Sequence, residues 1–129
     1  MKALTLRQPW AEAICRGWKV NETRSWGVPR YATLPMQIAL HASSSMTASE
    51  REFGRQRRII SPPLGVVVAK ATLVRCVRMT PEYIASIWEE ELRWGNYAPG
   101  RWSWELALVQ PLATPVPARG RLGLWEWAA

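Results

Sequence analysis

Cysteine and histidine are scarce in this sequence, which limits the metal and redox chemistry that the chain supports. The 129 residues include two cysteines and one histidine. Cys15 and Cys76 stand apart in the sequence, neither belongs to a C-x-x-C pair, and His41 is the single imidazole. A structural zinc site normally takes four nitrogen or sulfur ligands, so we expect no metal and no cofactor. We interpret both cysteines as small core residues.

Long apolar runs are absent as well. No run approaches the roughly 18 uncharged apolar residues that a membrane helix needs. The apolar stretch within residues 1–7 is too short for a signal peptide. We therefore expect no membrane partner and a cytoplasmic location. A length of 129 residues with 48% hydrophobic content predicts a single domain over 1–129 with a real core.

Lysine is also scarce, and arginine supplies most of the positive charge. The net charge of +7 arises from 14 arginines and 3 lysines against 10 acidic residues. A basic surface attracts polyanions such as RNA, although arginine richness can also simply reflect a GC-rich genome. The predicted nucleic-acid patch consists of arginines on one helix and one strand: Arg51, Arg55, Arg57, Arg58, Arg75 and Arg78. Some of the nine tryptophans are expected in the core and a few as stacking surfaces for bases.

Turn and cap residues divide the chain into short elements. A strand over 3–6 precedes a helix predicted from Pro9 to about Arg16, with Pro9 in the first helical position and Gly17 just past the end. The following segment, 21–26, is expected to be extended. Strand parity then places Glu22 and Arg24 on one face, with Thr23 on the other.

The middle of the chain alternates strands and helices. A buried strand is predicted over 36–42, and a capping box opens a helix over 47–58. The β-rich segment 65–79 changes apolar parity near 70–72, which predicts a bulge. A hydroxyl cap followed by proline and glutamate predicts one helix over 80–93.

Two further strands complete the pattern. Residues 102–109 alternate, with four apolar side chains expected on one face: Trp102, Trp104, Leu106 and Leu108. A last strand is predicted over 122–127. Periodicity alone therefore indicates a mixed α and β domain.

The most informative segment follows the first predicted helix. Residues 17–24 read G-x-K-x-x-E-x-R and stand directly behind L-R-Q-P-W-A at 6–11. Further on come I-A-L-H-A-S at 38–43 and G-L-W-E at 123–126. Together these motifs resemble the ASCH family over nearly the whole chain. The resemblance implies an α+β fold, a small PUA-like β-barrel with short helices at the strand connections.

Two residues of this segment are the predicted catalytic pair. Near a cleft, Lys19 could contact a phosphate, polarise a carbonyl or help activate a nucleophile; the alternative is a solvated lysine in a turn. Glu22 could activate water as a general base, or it could form an ion pair with Arg24. We predict that Arg24 is mainly structural, with phosphate contact as its second role.

Four residues are predicted to bind the ligand: Gln8, Trp10, Arg24 and His41. Gln8 could bond a base edge, though a role at the helix start is equally open. Trp10 is more often a core residue than a stacking platform. His41 lies at a predicted strand end, where its side chain either faces the cleft or makes a structural hydrogen bond.

The ASCH resemblance implies an RNA-related function in a cleft beneath the 17–24 segment. Some small bacterial relatives are amidohydrolases that remove the acetyl group from N4-acetylcytidine. The resemblance matches their lysine to Lys19 and their threonine nucleophile to Glu22, so a hydroxyl is absent at that position here. An amide hydrolysis would therefore proceed through water. The downstream glutamate partner is left open among four candidates: Glu82, Glu89, Glu90 and Glu91.

Three hypotheses remain. The leading one is a protein that binds RNA or a modified nucleoside in the cleft. The second is an enzyme, either an amidohydrolase acting on N-acylated nucleosides or a ribonuclease, as other ASCH proteins are reported to be. The third is an adaptor that contacts a protein partner through exposed tryptophans such as Trp102 and Trp104.

Overall fold

One curled sheet forms the framework of the protein. The structure, a computed structural model, describes residues 1–128. In this part of the chain there are six strands: β1 (Lys2–Leu6), β2 (Asn21–Arg24), β3 (Met36–Ala42), β4 (Val66–Arg78), β5 (Trp102–Pro117) and β6 (Leu124–Glu126). The helices are short: α1 (Trp10–Cys15), α2 (Ala48–Gln56), α3 (Pro81–Ala85) and α4 (Glu89–Leu92). The predicted α+β class, with short helices at the strand connections, is confirmed.

The strand order is β2-β5-β4-β3-β1-β6. β1 and β3 pair in parallel, and the other neighbours pair antiparallel. The register of β4 against β5 shifts at three places, one of them between Lys70 and Thr72, where the bulge was predicted. Bulges bend and twist a strand, and the sheet curls into a half-barrel.

The core forms where α1 packs on the sheet. Ala11 and Ile14 of α1 are fully buried against apolar side chains of the strands, among them Leu40 and Trp104. A helix of six residues is unstable alone, so this packing must hold it. The helix begins one residue later than predicted, with Pro9 as the residue before it.

Local signals at the helix ends explain two outcomes. The predicted capping box of α2 is present: Thr47 Oγ1 accepts from the Glu50 amide at 3.1 Å, and Glu50 accepts from the Thr47 amide at 2.8 Å. The single helix predicted over 80–93 is wrong, because the chain forms α3 and α4 instead. Ser86 donates hydrogen bonds from both its hydroxyl and its amide to the Tyr83 carbonyl. In a continuous α-helix this carbonyl would instead accept from the amide four residues later.

The predicted alternation of 102–109 ends early. Trp104 and Leu106 are buried, but Leu108 has a positive φ of 52° and is 78% exposed. The left-handed backbone at Leu108 turns the side chain out of the face shared by its neighbours, so that part of the prediction is wrong. β5 nevertheless continues to Pro117, well beyond the predicted end. Within residues 1–128, no helix is long and apolar enough to cross a membrane.

Candidate functional site

A tight reversal after α1 turns the motif segment into the interior. Gly17 has a φ of +76°, a conformation that glycine adopts without steric cost. The Trp18 amide donates to the Ala13 carbonyl at 2.9 Å and closes the helix end. Two residues beyond the glycine, Lys19 enters the protein, and β2 begins at Asn21.

Lys19 is buried, with 1% of its surface exposed. Its Nζ donates a hydrogen bond to the Asn21 carbonyl. Burial lowers the pKa of Lys19, since the interior solvates an ammonium group poorly; the charges of Glu22 and Glu91 oppose this effect and that of Arg24 adds to it. The alternative of a solvated lysine in a turn is therefore wrong.

Glu22 and Arg24 form the expected ion pair. Both lie on one face of β2, and Arg24 Nε donates to Glu22 Oε2 at 3.0 Å. Arg24 Nη2 also donates to the Thr5 carbonyl at 2.6 Å and so ties β2 to the end of β1. Because the guanidinium bridges two strands that are not neighbours in the sheet, Arg24 fixes the position of Glu22.

Glu91 is the downstream carboxylate that the fold brings to Lys19. It is 8% exposed, accepts from the amides of Val20 at 2.9 Å and Asn21 at 3.3 Å, and receives the Tyr97 hydroxyl at 3.2 Å. The other three candidates, Glu82, Glu89 and Glu90, are exposed. Burial raises the pKa of Tyr97, so its hydroxyl remains a hydrogen-bond donor to this carboxylate.

An open cleft of about 1020 Å³ lies over this segment. Four predicted site residues line it: Trp10, Lys19, Glu22 and Arg24. Sequence reasoning had assigned no site role to its other cations, Arg7, Arg93, Arg101 and Arg121. It had also missed three of its aromatic rings, Trp26, Phe53 and Trp94. No local motif marks these residues, because the fold brings them together from distant parts of the chain.

Gln8 and His41 do not line the cleft. Gln8 is fully buried; its amide donates to the Pro63 carbonyl at 3.0 Å and accepts from the Glu12 amide at 2.9 Å, as the helix-start alternative predicts. His41 Nε2 lies 2.7 Å from the Ala118 carbonyl, and because a carbonyl can only accept, this nitrogen carries the proton. Both side chains therefore hold the framework around the site.

The predicted arginine patch lies outside the cleft. Arg51, Arg55 and Arg58 are exposed, but Arg55 pairs with Glu52 at 2.9 Å. Arg75 and Arg78 project from β4, where Arg75 Nε lies 2.5 Å from Glu105. The patch stays a prediction. Among residues 1–128, no group of three histidine, cysteine or acidic side chains is arranged to hold a metal ion.

The tryptophans named for protein contact are placed differently. Trp104 is fully buried, and its Nε1 donates to the Trp26 carbonyl at 3.1 Å, so its predicted exposure is wrong. Trp102 is half-buried beside Gly27. The tryptophans with substantial exposure are Trp18 and Trp88.

Comparison with solved structures identifies the architecture. The chain is similar to the crystal structure of ASCH from Zymomonas mobilis, with a TM-score of 0.65 and 16% identity over 98% of this chain and 87% of that one. A mutant of the same ZmASCH protein, with phenylalanine in place of one tyrosine, gives a TM-score of 0.60 and 18% identity over 98% and 89%. No family model and no curated protein matches the sequence. At these identities the likeness concerns the fold, and the protein has the ASCH fold that the motif resemblance predicted.

Proposed function

We propose that the protein binds RNA or a modified nucleoside in the cleft over the 17–24 segment. The observation that carries the proposal is a buried lysine at a cleft that also contains arginines and aromatic rings. Arginine and lysine contact phosphate, and aromatic rings stack on bases of any sequence. A single cleft that offers both kinds of contact suits a nucleotide.

Each class of side chain has its own role in this binding. The guanidinium groups that line the cleft, such as those of Arg101 and Arg121, would contact phosphate oxygens. Trp10 and Trp26 would flank a base. Lys19 would donate to a carbonyl or phosphate oxygen of the ligand. Among residues 1–128 its ammonium donates one hydrogen bond, to the Asn21 carbonyl, and two N–H groups remain.

Calorimetric titration with cytidine, cytidine 5′-monophosphate and a short single-stranded RNA tests the proposal. We expect binding of at least the phosphorylated ligands, with affinity falling as salt rises. Lys19→Met should weaken binding by about tenfold or more, the loss of one hydrogen bond to a charged group. Lys70→Met, which removes a lysine outside the cleft, is the matched control. Equal affinities for the two variants would refute the role of Lys19.

Hydrolysis of an N-acylated nucleoside is the second candidate, favoured by Lys19 and Glu22 lining one cleft. In this reaction Glu22 would take a proton from water while the water oxygen bonds to the acyl carbon. Lys19 would stabilise the resulting oxyanion. The carbon–nitrogen bond then breaks, and the proton passes from Glu22 to the leaving amine. Binding remains the leading proposal, because Arg24 already occupies an oxygen of Glu22.

Incubation with N4-acetylcytidine, with release of cytidine as the readout, distinguishes an enzyme from a binding protein. An amidohydrolase should lose turnover in Lys19→Ala and in Glu22→Gln, while circular dichroism shows an intact fold. Cleavage of a labelled RNA in the same series of variants tests the ribonuclease alternative. Absence of both reactions in a preparation that binds nucleotide would leave the binding function alone.

A further inference from the structure

A second concavity of about 500 Å³ adjoins the cleft. Arg93 and Trp94 line both, so the two spaces share a wall. The rest of this lateral groove comes from Trp18 in the turn after α1, from the end of α2 and the two arginines that follow it, Arg57 and Arg58, and from Glu90 of α4. The groove thus leads from the cleft onto the basic end of α2.

A row of aromatic rings runs from the cleft into the lateral groove. The centroids of Trp10 and Phe53 are 5.2 Å apart, those of Phe53 and Trp94 are 6.0 Å apart, and those of Trp94 and Trp18 are 6.4 Å apart. Trp18 is the open end of the row, with 43% of its surface exposed although Arg16 lies over its ring at 4.9 Å. Trp94 is 8% exposed and packs with Trp10 and Phe53 in a core cluster, so Trp18 is the ring of this row most open to a stacked base.

The cations of the lateral groove are incompletely neutralised. Arg93 lies 3.6 Å from Glu89, whereas in the described part of the chain neither Arg57 nor Arg58 forms a salt bridge. Arg57 lies 3.5 Å above the Phe53 ring, and both burial and the neighbouring Arg93 charge lower the pKa of Arg57. A bound anion would relieve this crowding of positive charge. Glu90 and the neutral Gln56 also line the groove, so its charged side chains are one carboxylate and three arginines.

We propose that the lateral groove binds the nucleotide that flanks the one held in the cleft, so that the ligand is a single-stranded RNA rather than a free nucleoside. This inference rests on the proposed function of the cleft. The flanking base stacks on Trp18, and its phosphate lies between Arg58 and Arg93. Proteins that bind single strands combine aromatic rings, on which bases stack, with cationic groups that contact the backbone, and the groove offers both.

Binding as a function of ligand length tests the groove. Calorimetry would compare cytidine 5′-monophosphate with the cytidylate dinucleotide and tetranucleotide. We expect the tetranucleotide to bind about tenfold tighter or more, as one additional stacked base gives. An RNA duplex of the same length should bind more weakly than the single strand, since paired bases cannot stack on Trp18.

Two variants separate the groove from the cleft. Trp18→Ala and Arg58→Asn should each lower the tetranucleotide affinity by about tenfold and leave monophosphate binding within about twofold. Asparagine is chosen because Arg58 has a φ of 64°, a conformation that asparagine tolerates. Arg55→Asn, in α2 three residues before Arg58 and outside the groove, is the control, and Glu90→Gln should tighten binding of the tetranucleotide.

The outcomes distinguish this inference from the function on which it rests. If monophosphate binds and the tetranucleotide binds no tighter, or if Arg55→Asn and Arg58→Asn behave alike, the groove proposal is overturned and the cleft proposal stands. Equal binding of duplex and single strand would also overturn it. If neither ligand binds, both proposals are refuted.

Discussion

Lys19 and Arg55 both carry a positive charge, but the fold places them in opposite environments. Lys19 is 1% exposed, next to a cleft, with two carboxylates acting on its charge. The side chain of Arg55 is 68% exposed and pairs with Glu52 on the same helix. A buried charge must be supported by neighbours, whereas water supports an exposed one. The comparison predicts that substitutions around Lys19 have large effects and those around Arg55 have small ones.

Removal of the Glu91 carboxylate is expected to have the largest effect on stability. Glu91→Ala leaves the amides of Val20 and Asn21 without an acceptor and removes a countercharge from Lys19. We expect a loss of about 3 kcal/mol in the free energy of unfolding, measured by urea denaturation.

Two controls accompany this measurement. Glu91→Gln keeps one acceptor oxygen and should lose less, while the exposed Glu90→Ala should change stability by less than about 0.5 kcal/mol. Equal losses for Glu90→Ala and Glu91→Ala would contradict the view that the Lys19 segment depends on a buried carboxylate.

Arg24→Lys should have the next largest effect. Lysine keeps the charge, but its single nitrogen lacks the planar fork that reaches both Glu22 and the Thr5 carbonyl. Loss of one of these contacts should cost about 1–2 kcal/mol. Arg75→Lys, which changes an exposed guanidinium on β4 that pairs with Glu105 of β5, should leave the urea midpoint unmoved. A stable Arg24→Lys protein would show that the bridge between β2 and β1 is dispensable.

The residues in these first predictions could be placed in the site from the sequence to different degrees. Lys19, Glu22 and Arg24 stand within six residues, so the turn and strand parity sufficed to bring them together. Glu91 was one of four candidates, because choosing among them required the break between α3 and α4.

The remaining walls of the cleft lay beyond local signals. Arg101 and Arg121 are far from Lys19 in the sequence, and only the strand order brings them close. Trp104 was misplaced for a related reason. Alternation correctly placed Trp104 on an apolar face. Its exposure, however, depends on neighbours from other parts of the chain, such as Trp26, which packs on the Trp104 ring.

The pH dependence of stability sharpens the comparison further. The pKa of Lys19 is lowered in the folded protein, so the unfolded chain holds this proton more tightly. Stability therefore rises with pH between the folded pKa and the ordinary value of 10.5. Burial raises the pKa of Cys15 from 9.0 to about 11, which has the opposite effect and removes stability above pH 9.

The contribution of Lys19 is isolated by subtraction. The difference in unfolding free energy between wild type and Lys19→Met, measured in urea from about pH 7 up to the ordinary lysine pKa of 10.5, contains the Lys19 contribution and cancels that of Cys15. We expect the wild type to gain stability relative to the variant as pH rises. A difference that stays flat would mean that Lys19 retains its ordinary pKa in the folded state.

The smallest effect is expected at Arg55. Arg55→Gln removes one exposed charge and its partner contact with Glu52, and water replaces both at little cost. We therefore expect no measurable shift of the urea midpoint at physiological salt.

The effect of Arg55→Gln on RNA binding distinguishes two hypotheses about where the RNA lies. If α2 forms a general basic patch for RNA, Arg55→Gln should weaken the salt dependence of binding. Each lost phosphate contact reduces the slope of the logarithm of affinity against the logarithm of salt concentration. If the ligand is confined to the cleft and the lateral groove, Arg55→Gln leaves that slope unchanged. This one variant therefore decides whether RNA binding depends on the total positive charge of α2 or on the positions of particular arginines.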